Sequence, residues 1–223
     1  MKTEPSGEHY DWKKTGKPER PWLLPYHQTV VMKMSAAQPA GQALDVLRKL
    51  DNITCGIPKI MYLVGWQFNG GDTGYPSWAV LNKALKRPQD STAVESLRWL
   101  IREGRKYNTA VSLHVNMLDA YEDSPLWKDY VKNDIVYKEK DGSIQWGLEW
   151  GGRLSAPISY YQEWKTAFAQ KRIDGLLEML PELKESKTIH IDAFHTINPK
   201  TKQPDPDNHQ VSKGKLQLRV ERF

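Results

Sequence analysis

The sequence predicts an α/β fold on a parallel sheet, either doubly wound or part of a (β/α)8 barrel. Segments with strand and helix patterns follow one another as strand, helix, strand, helix, strand, excursion, helix, strand, the rhythm of βα units. Two strand segments, Thr109–Asn116 and Lys187–His195, alternate in the same sense. Val111, Leu113, Val115, Ile189, Ile191 and Ala193 take one face, and Ser112, His114, Asn116, His190, Asp192 and Phe194 the other. The polar exceptions Ser35, His114, Asn116, Asp192 and His195 fall at the C-terminal ends of their strands, where such folds collect function.

Residues 1–26 are polar and carry Pro5, Pro18, Pro21 and Pro25, so they read as an irregular lead-in. Gln28–Ser35 is the first β-branched, alternating run and predicts a strand. Leu44, Leu47 and Leu50 then recur at helical spacing until Asp51-Asn52. Lys59–Gln67 is apolar on both faces, as a central strand should be. A short helical pattern follows Trp78, and Thr92-Ala93-Val94-Glu95 forms a capping box ahead of Leu97, Leu100 and Ile101. The aromatic excursion, residues 117–155, has no periodicity, but residues 137–146 read as a hairpin turning at Asp141-Gly142. A second capping box at Ser159 opens one helix through Trp164, Phe168, Ile173 and Leu177, stopped by Pro181. The chain therefore divides into the lead-in, a barrel-type unit over residues 27–197, and a basic tail over residues 198–223.

Composition excludes several classes of function. The single Cys55 rules out an internal disulfide and any cysteine-based zinc site. The net charge of +5 is concentrated after Pro199, where six basic residues face three acidic ones, and no nucleic-acid motif accompanies it. No apolar run approaches the ~20 residues of a membrane span, and the first residues lack the apolar core of a signal peptide. Nine Trp and ten Tyr against four Phe supply flat faces with polar tips, suited to sugar rings and to protein interfaces.

The segment around His190 and Asp192 is the centre of interest. A carboxylate beside an imidazole on a covered strand costs several kcal/mol unless partnered, so it marks either a site or a structural ion pair. His114, Asn116, His190, Asp192 and His195 are also metal-ligand types, although His190 and His195 have opposite parity. Asp72 lies in the glycine-rich loop Asn69–Pro76, which has neither a P-loop ending nor the Rossmann spacing and reads as a tight turn or a ligand-contacting loop. Carboxylates among aromatic platforms fit glycoside chemistry, in which acids flank an oxocarbenium-like transition state.

The strand YLVGWQ running into GGDTGYPSW, the stretch KYNTAVSLHVNMLDAY, the aromatic excursion and IHIDAFH together resemble the endo-α-N-acetylgalactosaminidases and their relatives among the barrel glycoside hydrolases. The resemblance spans roughly residues 26–195 and implies the TIM-barrel alternative, a retaining glycosidase on α-linked galactosyl or N-acetylgalactosaminyl glycans. It implies Asp192 as nucleophile, Asp72 and His114 as sugar-hydroxyl contacts, and Trp146 and Trp150 as a stacking platform; Asn116 and His195, by their place at the strand ends, are expected as further substrate contacts. No cofactor and no metal follow from it, and a secreted or periplasmic location does. Where that family carries Gly-His-Asp, this chain has Gly70-Gly71-Asp72, which leaves the sugar open. The implied general acid/base would lie one strand past Asp192; Asp119 and Glu149 are candidates by position alone.

Complete barrels need ~250 residues, and only four of eight strands are predicted, so the expectation is the first half of a barrel, truncated or read out of frame near Gln210. Two open sheet edges would then favour self-association. The alternatives are a non-catalytic carbohydrate-binding or inactive fragment and a metal-dependent hydrolase. Neither a nucleic-acid nor a membrane partner is expected.

Overall fold

The computed structural model describes residues 29–70, 73–150 and 152–192. Asp72, His195, the lead-in over residues 1–26 and the tail over residues 198–223 lie outside the described residues.

Four strands form one parallel sheet in the order β1 (Val30–Ser35), β2 (Lys59–Val64), β3 (Thr109–Asn116) and β7 (His190–Asp192). Helix α1 (Ala40–Ile53) joins β1 to β2, and α2 (Ala93–Gly104) precedes β3. The helices cover the aliphatic face. Met61 and Leu63 of β2 and Val111, Leu113 and Val115 of β3 join Leu47 of α1 and Leu97, Leu100 and Ile101 of α2 in one core, all essentially inaccessible. Helix α2 approaches β3 closely at Gly104, where a Cβ would come within 2.6 Å of Val111 Cγ2. Its capping box forms one residue early on the return side: Thr92 Oγ1 accepts from Glu95 N, and Glu95 Oε2 accepts from Ser91 N.

The excursion holds structure that its sequence hides. Strands β4 (Asp119–Ala120), β5 (Leu148–Trp150) and β6 (Arg153–Pro157) make an antiparallel sheet in the order β4-β6-β5, with α3 (Trp127–Lys132) between β4 and β5. Strands of two, three and five residues are too short for an alternation to stand out. The hairpin at Asp141-Gly142 forms as expected: Gln145 N donates to Tyr137 O at 3.0 Å and Gly142 takes φ +86°.

Two expectations need correction. The single helix predicted from Ser159 is two, α4 (Tyr160–Lys165) and α5 (Phe168–Met179). Thr166 Oγ1 donates back to Gln162 O at 2.7 Å, and Ala167 takes φ +62°, a left-handed conformation that ends the first helix. The final strand also starts later than Lys187, because Lys187 is left-handed at φ +54° and follows the short helix α6 (Leu183–Ser186). Residues 186–188 still hold to β3, through Ser186 Oγ donating to Val111 O and Ser112 Oγ donating to Thr188 O. Among the described residues, no helix is long and apolar enough to cross a membrane.

Candidate active site

Opposite the helices, the sheet carries a polar face, laid out by the parallel register. Lys33 pairs with Tyr62 and Tyr62 with Ser112; one layer up, His114 pairs with His190; above that, Asn116 pairs with Asp192. Layering of alternate strand positions is how a barrel interior is filled. Here it stacks titratable groups toward the C-terminal strand ends.

His114 and His190 meet through their Nδ1 atoms at 2.9 Å, with rings 15° from parallel and centroids 4.8 Å apart. His114 Nε2 lies 3.5 Å from Asp192 Oδ2; the His114 side chain is 7% exposed and that of Asp192 56%. Burial and then the nearby Lys33 lower the His114 pKa to about 4, against the pull of Asp192. Burial first, then Lys33, also lowers that of His190. Both imidazoles are therefore neutral near pH 7, beside a solvent-reachable carboxylate. Tyr62 flanks His190, ring to ring at 5.4 Å, and its hydroxyl meets Thr188 Oγ1 at 2.5 Å. Asn116 Oδ1 accepts from Leu118 N at 2.7 Å, which turns the carboxamide so that its Nδ2 remains to donate.

Gly74, at the end of the glycine-rich segment, is held by contacts from outside it. Asp123 Oδ1 accepts from Gly74 N at 3.1 Å while its Oδ2 pairs with Arg153 of β6 at 2.5 Å. Gly74 sits at φ +75°, where a Cβ would collide with Phe68 at 2.6 Å. Gly74 is thus tied to the second sheet through Asp123 and Arg153.

The structure brings His114, Asn116 and Asp192 together, with His190 among them. Trp146 packs on Trp127 at 5.5 Å and 19°, keeps 38% exposure, and borders a cavity of about 460 Å³ with Tyr121, Asp123 and Arg153. Trp150 is the last residue of β5. Of the positional candidates for an acid/base, Asp119 is buried and accepts from Ser155 Oγ at 2.7 Å, bracing β4 on β6, and Glu149 is exposed on β5. His114 turns both nitrogens to His190 and Asp192, and among the described residues no three His, Cys, Asp or Glu side chains are arranged to hold a metal ion.

Comparison with known proteins adds the lineage. A family model described as endo-alpha-N-acetylgalactosaminidase matches residues 15–205. The chain belongs to that glycoside hydrolase family. Among solved structures it is similar to ligand-free alpha-N-acetylgalactosaminidase NagBb from Bifidobacterium bifidum, with TM-score 0.59 and 11% identity over 97% of this chain and 41% of that one. It is also similar to the trehalose-6-phosphate hydrolase TreA of Bacillus licheniformis, with TM-score 0.57 and 12% identity over 87% of this chain and 42% of that one. A maltogenic alpha-amylase, AmyB from Thermotoga neapolitana, gives TM-score 0.56 and 11% identity over 86% of this chain and 44% of that one. At such identities the likeness shows the fold, a partial (β/α)8 barrel of glycoside hydrolase type. The chain spans about two fifths of these structures.

Sequence reasoning passed over Lys33 and Tyr62; it put His190 on the polar face beside Asp192 but gave it no role beyond a metal-binding alternative. Lys33 had a readable signal, a lone cation amid the alternating aliphatics of VVMKMS. Tyr62 had none, since KIMYLV is buried on both faces.

Proposed function

We propose that the C-terminal strand ends of this half-barrel carry a retaining glycosidase site for α-linked galactosyl or N-acetylgalactosaminyl glycans, with Asp192 as nucleophile. The observation that supports it is an exposed carboxylate at the end of a parallel strand, beside two neutral imidazoles on the sheet face opposite the helices. Asp192 attacks the anomeric carbon to give a glycosyl ester, which water then cleaves with help from a second carboxyl group. Asp72, His114, Asn116, Trp146, Trp150 and His195 bind the glycan in this reading, and no cofactor is needed. The family membership supports a secreted or periplasmic location. Strands β1 and β7 each have one hydrogen-bonded neighbour among the described residues, and self-association along these edges is part of the proposal.

The test is covalent trapping with 5-fluoro-α-galactosyl fluoride and the corresponding N-acetylgalactosaminyl reagent, followed by peptide mapping. An adduct on Asp192, missing in Asp192→Asn while glycan affinity survives, is the expected result. Wild-type turnover in Asp192→Asn would remove Asp192 from the mechanism. Glycan binding with no adduct and no hydrolysis would favour a carbohydrate-binding module.

A further inference from the structure

Two imidazoles that face each other through Nδ1 at 2.9 Å hold one proton between them, so one must donate and the other accept. The direction follows from the third member. If His114 carried the proton on Nδ1, its bare Nε2 lone pair would point at the Asp192 carboxylate, 3.5 Å away. The opposite arrangement presents an N–H there instead. It is also the one that leaves no lone pair opposed to a lone pair along the row.

We propose that His190 and His114 form a one-way relay of neutral imidazoles, His190 Nδ1–H to His114 Nδ1 and His114 Nε2–H to Asp192 Oδ2. In it His114 orients the carboxylate, and His190 is a positioning residue that acts through His114. The functional half of this statement rests on the reading of Asp192 as nucleophile; the tautomers do not. At 3.5 Å the last link is long, as catalytic hydrogen bonds often are before substrate closes them. The groups facing the pair are Lys33 from β1, Tyr62 from β2 and Asp192 from β7. Burial, and then Lys33, opposes a second proton on the pair, so the relay stays neutral.

The polarity is set by the Asp192 charge, which makes it measurable. Two-bond proton–nitrogen spectra of the ¹⁵N-histidine-labelled full chain read tautomers directly, with His114→Gln and His190→Gln assigning the signals. His114 protonated on Nε2 and His190 on Nδ1, with His114 remaining neutral down to about pH 4, is the expected result. Asp192→Ala should release the direction and mix the tautomers; because Asp192 is exposed, this variant should fold. His114 protonated on Nδ1, or tautomers unchanged in Asp192→Ala, would overturn the relay whether or not the chain turns over glycosides. In an active preparation, His190→Phe should lower kcat about tenfold with KM little changed, and His190→Gln, whose amide still donates, should recover most of it. Equal losses in both variants would reduce His190 to a packing role and reject it as a positioning residue.

Discussion

Among the polar clusters of the described residues, two are built to opposite ends. Tyr130 of α3, Glu163 of α4 and Arg172 of α5 form a closed knot: the Tyr130 hydroxyl donates to Glu163 Oε1 at 2.6 Å and Arg172 pairs with the same oxygen. The Arg172 and Glu163 side chains are 3% and 0% exposed, and Arg172 stacks on the Trp78 ring at 4.0 Å. Burial, then the Glu163 charge, holds the Tyr130 hydroxyl well above its ordinary pKa of 10.0, so it remains a donor at all working pH. At the strand ends, by contrast, two neutral imidazoles meet an open carboxylate. A fixed, desolvated ion pair that joins three helices is a staple, whereas reversible proton carriers around a reachable anion are a site. Hollow volume does not make that distinction. An apolar cavity of about 420 Å³ lies over Arg172, and one of about 700 Å³ opens at the N-terminal strand ends around Asn108, Thr109 and Thr188.

The contrast breaks most sharply under substitution. Glu163→Ala leaves Arg172 buried without its partner and should cost about 3–5 kcal/mol of stability, read by chemical denaturation. Asp192→Asn, at an exposed end of the sheet, should stay within about 0.5 kcal/mol of wild type. Similar losses in the two variants would mean that both clusters are structural. Tyr130→Phe removes one hydrogen bond to a charged acceptor and should cost about 1.5–3 kcal/mol, with glycan binding untouched.

The smaller effect is a pH dependence. The unfolded chain takes up a proton on His114 as pH falls through about 6.5, while the native protein resists until about 4. In that window the unfolded state binds more protons, so stability is fully present above it and is lost as pH falls. The lowered pKa of His190 acts in the same direction. Denaturant midpoints measured from pH 7 to pH 4 should therefore fall, and fall less in His114→Gln; an unchanged slope in that variant would show that His114 is charged in the native state.

How much of this was readable in advance depended on distance along the chain. Strand β3 was readable to its ends, because Thr109–Asn116 alternates without interruption between Asn108, left-handed at φ +47°, and the Asn116 side chain that caps Leu118 N. Helix α2 was readable from Thr92 and Glu95, a signal contained in four residues. The break at Ala167 was not, since nothing in alanine announces a left-handed turn. The Tyr130–Glu163–Arg172 knot could not be seen either: its members look like ordinary exposed helix polar residues until three helices bring them together. At the site, parity put His114, Asn116, His190 and Asp192 on one side, but the Nδ1 contact between the two histidines depends on the register of β7 against β3, which no local pattern encodes.

The most direct test is a titration of the labelled chain with N-acetylgalactosamine, observed at side-chain nitrogens. Saturable shifts at the His114 and His190 rings and at Asn116 Nδ2, with Trp78 Nε1 and the Arg172 guanidinium unmoved, are expected if the strand ends are the site and the helix knot the scaffold. Shifts confined to Trp78 and Arg172, with both histidines silent, would contradict that division and move the ligand to the helical face.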